Sequence, residues 1–189
     1  MGGVPEFTHD TVLKGLTLSD SSLSFCILDG SKVVENRSWI ISPGWYAIHT
    51  GVKKPSTLTA KNLPPGMWAQ VASLSVKKCP RGAIAGLAYI SHALPLSEVD
   101  TPWALGPYCH IISRVGFLEK PIRRKGQLGL WKLTTTERAM IDEQFPRIDF
   151  RNTSHDTTFP PNQNALSVAR VSELAKRAEK RAEKRASKA

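Results

Sequence analysis

The stretch Asp29-Gly-Ser-Lys-Val-Val-Glu-Asn-Arg-Ser-Trp39 constrains this chain more than any other. A turn dipeptide, Asp29-Gly30, precedes a β-prone run that starts near Val33. Strand alternation predicts Val33, Glu35, Arg37 and Trp39 on one face, with Lys32 at the strand mouth beside the turn. One acid, two cations and a large aromatic converge there. An ordinary core strand does not carry both charges of an i, i+2 pair beside a tryptophan. Either the charges satisfy each other as a structural ion pair, with Lys32 a solvated turn residue, or the face lines a polar cleft.

The rest of the composition bears on that choice. The chain has 189 residues, enough for one domain with extensions, and can bury a core without staples. Its formal net charge is +10, which argues for a polyanionic partner, most simply nucleic acid, or for an acidic membrane surface. Cys26, Cys79 and Cys109 are odd in number and widely spaced, so neither a disulfide framework nor a zinc site is indicated. His9, His49, His92, His110 and His155 show no metal-ligand spacing. No metal and no cofactor is expected, and the cysteine usage fits an intracellular location, cytoplasmic or nuclear. No run reaches the length of a membrane span, no signal peptide is expected, and Glu6 breaks a myristoylation pattern.

Taken in order, residues 1–11 read as a flexible lead and 12–18 as a first strand. Ser19-Asp20-Ser21 offers helix caps for a short helix from Ser22 to about Leu28, closed at Asp29-Gly30. After the motif strand, 45–50 reads as a central strand, apolar on both faces. Pro64-Pro65 can open a helix ending at Lys77-Lys78. Residues 82–91 form a strand in which Gly86 marks a bulge or close backbone approach. A loop holding Thr101-Pro-Trp103 leads to a strand at 108–115. Residues 121–126 read as a basic loop, and 127–133 as a strand that closes the sheet. Thr134-Thr-Thr-Glu137 matches a capping box, so a helix is predicted to about Phe145, stopped by Pro146. Residues 146–165 lack periodicity and read as a linker or loose wrap. The tail, 166–189, is a basic helix-prone segment with eight Lys/Arg against three Glu. Its like-charged stripes repel on an isolated helix, and a polyanion would relieve that repulsion; the alternative is a solvated, solubilising helix.

Gly30-x-Lys32-x-x-Glu35-x-Arg37, after a strand and a short helix, resembles the ASCH family of the PUA-like superfamily. Further segments match in the family's order: Trp39, 44–51, 80–87, Thr101-Pro-Trp103 and 124–131. The resemblance spans roughly residues 12–133. Where many members carry Pro-Trp or Pro-Tyr, this chain has Ser21-Ser22 followed by Leu23. The resemblance implies an α+β, mainly β fold: a PUA-like curved β-barrel with flanking short helices at 12–145. The C-terminal basic helix would follow it.

It also implies a cleft on the Lys-x-x-Glu-x-Arg strand that takes RNA, a nucleotide or a modified base. In that cleft Lys32 and Arg37 would meet phosphate or a carbonyl, and Glu35 would accept from a base amino group. Trp39 and Trp103 would stack bases at about 1–3 kcal/mol each, whereas Trp45, Trp68 and Trp131 read as core. Lys53, Lys54, Arg123, Arg124 and Lys125 would flank the cleft and follow a backbone. His49 reads as a satisfied strand histidine rather than a catalyst. The leading expectation is a nucleic-acid-binding module for single-stranded RNA or a nucleotide, monomeric and without a membrane partner. Two alternatives come from family members. One is a hydrolase of RNA or an acetylcytidine-type nucleoside, with Lys32 and Glu35 catalytic, although the small amidohydrolases have threonine where Glu35 stands. The other is a coactivator-like module holding a protein partner through the tail.

Overall fold

Asp20 both ends the first strand and caps the first helix. The computed structural model describes residues 12, 14–54, 61 and 67–153. Strand β1 (Lys14–Asp20) runs directly into helix α1 (Ser21–Leu28), whose Leu23 N–H donates to the Asp20 carboxylate at 3.0 Å. At the other end of α1, the Asp29 carboxylate accepts from the Ser31 N–H and hydroxyl at 2.9 and 2.7 Å. Gly30 takes φ +85°, and Lys32 N–H returns to Cys26 O at 2.7 Å. This tight turn launches β2 (Val34–Arg37). Then come β3 (Gly44–Lys53), α2 (Met67–Lys78), β4 (Ala83–Pro95), β5 (Tyr108–Arg123), β6 (Leu130–Lys132), α3 (Thr135–Gln144) and β7 (Arg151–Asn152).

The strands form one mixed sheet in the order β2-β5-β4-β3-β1-β6, with β7 beside β2 on the outer side of β5. Among the described strands, only β1 and β3 pair in parallel. Helices α1 and α2 cover a core of Leu16, Leu18, Phe25, Ile27, Ile48, Val71 and Ile112. A second core holds Trp45, Ala47, Leu87, Ile122, Trp131, Ile141 and Ile148, with α3 supplying Ile141. The fold is α+β and mainly β with flanking short helices, as expected.

Closure of the sheet differs from expectation. The strand expected at 127–133 to close the sheet is shorter: β6 has three residues, pairs with Lys14–Leu16 and remains an edge among the described strands. Register breaks within β3–β4 and β4–β5 bend the sheet. The bend brings edge strand β2 back toward β1, where Arg37 Nη2 donates to Thr17 O at 3.1 Å. A side chain, not a hydrogen-bond ladder, spans that seam.

Residues 121–123, expected in a loop, belong to β5. Pro121 cannot donate to a ladder, and the register jumps there from Gly86–Phe117 to Ile84–Ile122. The Gln144 side chain takes over: its Oε1 accepts Lys120 N–H at 2.7 Å, and its Nε2 donates to Lys120 O at 3.1 Å. The capping box is present with both bonds, Thr134 to Glu137 and back. The linker expected from 146 begins as packed chain. Ile148 is buried, Phe150 meets Trp45 edge-on at 5.0 Å, and Thr153 N–H reaches Ser113 O at 3.0 Å. The lead at 1–11, the Pro64-Pro65 helix entry, 154–165 and the basic tail lie outside the described residues. Among the described residues, no helix is long and apolar enough to cross a membrane.

Gly86 marks both a register break and a close approach: a Cβ there would lie 2.3 Å from Gly116 O and 2.6 Å from Leu28 Cδ2. Backbone cannot yield as a flexible side chain does. We expect Gly86→Ala to lower unfolding free energy by about 1–3 kcal/mol. Urea denaturation of the variant beside the parent checks this.

Candidate nucleic-acid interface

The motif cations and acid fold into one cluster, in which Lys32 and Glu35 are buried and Arg37 is half-buried. Lys32 is 4% exposed and Glu35 8% exposed. Lys32 Nζ donates to Val34 O and, at 3.0 Å, to Glu35 Oε2. Arg37 Nη2 holds the other oxygen, Glu35 Oε1, at 3.0 Å. One carboxylate is thus clamped between two cations, which leaves a net charge of +1. The Lys32 ammonium also lies 5.8 Å from the centroid of the Trp103 ring.

Two residues not singled out from sequence position this cluster. Asn36 donates from Nδ2 to Trp103 O at 2.8 Å and accepts from Leu105 and Gly106 N–H at 2.9 and 3.1 Å. It therefore pins the 101–107 loop against β2 and turns Trp103 inward. His110, fully buried, accepts from Ile41 N–H at Nε2 over 2.9 Å. Its Nδ1 must then carry the proton and donate to Glu35 O at 3.0 Å. Asn36 lay inside the motif, and its polarity was the available signal. His110 gave none, because both of its partners are remote in sequence.

A second group of cations gathers at one end of the sheet. Thr50, Ala83 and Arg123 are aligned across β3, β4 and β5. Gly82 N–H donates to Thr50 O at 2.9 Å, and Arg124 N–H to Gly82 O at 3.0 Å. These bonds bring Lys53, Lys54, Arg81, Arg123, Arg124 and Lys125 to the same end. All but Arg124 are exposed. Arg124 instead folds over Trp131, 3.9 Å from its ring centroid, and pairs with Glu137 at 2.9 Å. Nearby acids are engaged: Glu137 also serves the capping box, and Asp20, the register partner of Lys53, caps α1. Arg124, Lys125, Gly126, Gln127 and Glu137 line an open concavity of about 500 Å³.

Thr17 links the two groups. Its carbonyl accepts from Arg37, and its hydroxyl accepts from Trp131 Nε1 at 3.1 Å. His49 Nε2 donates to Arg124 O at 3.1 Å, which ties the basic loop to β3. That bond gives His49 a structural task. The Arg37 Nε atom and the Ser21 and Ser22 hydroxyls are buried without a hydrogen-bond partner.

Lys32, Glu35 and Arg37 therefore come together as the sequence predicts, but with Lys32 and Glu35 buried and Arg37 half-buried. Lys53, Lys54, Arg123 and Lys125 form the exposed group, joined by Arg81. Trp39 is partly buried against the core. Trp103 needs correction as a stacking residue: it is 3% exposed, because Asn36 anchors its loop and Lys32 lies over its ring. Trp45 and Trp131 are core, as expected, and Trp68 packs against it. Burial pushes the Cys26 thiol up to about 11 and raises those of Cys79 and Cys109, far from thiolate reactivity. Among the described residues, no cluster of three His, Cys, Asp or Glu side chains could hold a metal ion. No family model matches this chain, and no curated protein matches it.

Burial holds the pKa values of His110 and His49 below the ordinary 6.5. The unfolded chain then takes up protons more readily than the folded one as pH falls. The histidine contribution to stability is complete above about 6.5 and is lost as pH drops below it toward the folded values. We expect unfolding free energy to fall on acidification from neutral pH toward pH ~5, with a shallower fall in His110→Asn. That variant should also lose about 1–3 kcal/mol at neutral pH, because Ile41 N–H is left unpaired. Urea titrations at several pH values measure both effects.

Proposed function

We propose that this chain is a nucleic-acid-binding module of the ASCH type that takes single-stranded RNA as a monomer. The observation that carries the reading is the cation group at one sheet end. Lys53, Lys54, Arg81, Arg123 and Lys125 are exposed there, while the neighbouring acid Glu137 is held by Arg124 and its capping box, and Asp20 caps α1. Backbone bonds among Thr50, Gly82 and Arg124 fix their strands together, so little ordering is needed when a phosphate chain arrives. The overall charge of +10 would speed the encounter.

The buried cluster has a different part in this reading. Lys32 already donates to Val34 O and Glu35, so its side chain is engaged within the fold. It supports the fold beside Arg37 and leaves phosphate contact to the exposed group. Binding fits this chemistry better than hydrolysis. The module would act inside the cell, in cytoplasm or nucleus, where three buried unpaired cysteines remain reduced.

The test is a fluorescence-anisotropy titration of the full chain with a labelled single-stranded RNA over a salt series. For a single strand, each neutralised phosphate contributes about 0.7 to the slope of log K against log salt. We expect Arg123→Gln combined with Lys125→Gln to weaken binding and reduce that slope by about 1.4. Affinity and slope equal to the parent's would remove the sheet end from the interface. These substitutions are preferred to Lys32→Glu, which would leave like charges facing each other inside the fold.

A further inference from the structure

We infer that the tip of the 124–129 loop, Leu128, is an apolar wedge that docks against an unstacked base, so that the RNA bound here carries an unpaired nucleotide. This rests on the nucleic-acid reading above and adds the class of RNA. Leu128 is 99% exposed, the most exposed large hydrophobic side chain among the described residues. It projects from a loop that follows Arg123 at the end of β5 and begins with Arg124 and Lys125.

The display is built into the fold. Arg124 anchors the base of the loop through Gly82 O, Glu137, the Trp131 ring and His49. Gly126 packs so closely that a Cβ would lie 2.8 Å from His49 Cε1 and 3.3 Å from Thr17 Cγ2. Gly129 turns the chain back at φ +68°. A leucine held out between two such fixed points gains nothing from the folded chain itself. A partner that combines negative charge for Lys125 with an apolar surface for the tip would suit both residues.

A paired RNA stem offers the charge without that surface. Its base faces are stacked inside, and the accessible groove presents hydroxyls and base edges. An unpaired or bulged base offers a free face, and apolar side chains are used elsewhere as wedges against base steps. Gln127, beside the tip and lining the concavity, has an amide that can donate to and accept from a base edge. An anionic membrane also joins charge to apolar matter. Interfacial binding, however, scales with buried apolar area, and this loop presents one leucine.

The test uses the full chain and three labelled RNAs: a fully paired hairpin, the same hairpin with one bulged 2-aminopurine, and a single strand. We expect the bulged hairpin to bind roughly tenfold more tightly than the paired one, as burial of a leucine side chain allows. The 2-aminopurine fluorescence should change on binding. Leu128→Ala should lower the affinity for the bulged hairpin to that for the paired one and abolish the fluorescence change. Leu128 is solvent-exposed, so the substitution should not unfold the chain. Equal affinity of the parent for bulged and paired hairpins, or a preference unchanged in Leu128→Ala, overturns the wedge while leaving RNA binding standing. Absence of binding to all three RNAs overturns both readings. Leu128-dependent binding to phosphatidylserine vesicles without any bulge preference would assign the tip to a membrane and overturn the wedge.

Discussion

Glu35 is 8% exposed, and an ionised carboxylate that far from water is tolerated only with countercharge and hydrogen bonds. Lys32 and Arg37 supply both, one on each oxygen. Neither cation is idle elsewhere. Lys32 also ties down Val34 O, and Arg37 spans the seam to Thr17 O. The cluster therefore joins the glycine turn, edge strand β2 and the far side of the curled sheet. Without it, β2 would have β5 on one side and no connection through Arg37 on the other.

That arrangement separates support from contact. The motif cations are spent on holding the seam, while the exposed cations sit at the sheet end defined by Thr50, Gly82 and Arg124. Thr17 touches both groups, through Arg37 and through Trp131. A rigid seam thus presents a basic loop whose own base is anchored by Arg124. If the chain binds RNA as proposed, this preorganisation would contribute to affinity as much as charge does.

Much of the local structure was legible in the sequence because its causes are local. The Asp20 cap, the Asp29-Gly30 turn and the Thr134–Glu137 capping box each depend on residues within a few positions of one another. The clustering of Lys32, Glu35 and Arg37 was legible for the same reason. What was not legible depends on distant partners. Trp103 turns inward because Asn36, 67 residues away, holds its loop, and His110 is fixed by Ile41 and Glu35 from 69 and 75 positions off. Pro121 reads as a loop residue because nothing near it reveals that Gln144 will satisfy the backbone of its neighbour Lys120. The failure of β6 to close the sheet follows from a register that only the assembled strands define.

The central claim is that Lys32 and Glu35 are spent on each other inside the fold rather than waiting for a ligand. A double-mutant cycle on unfolding free energy, with Lys32→Met, Glu35→Gln and their combination, tests it most directly. A buried, hydrogen-bonded pair predicts that the double variant is more stable than the two single losses add up to, by about 1–3 kcal/mol. A coupling within about 0.3 kcal/mol of zero, as for a solvated surface pair, would contradict the account.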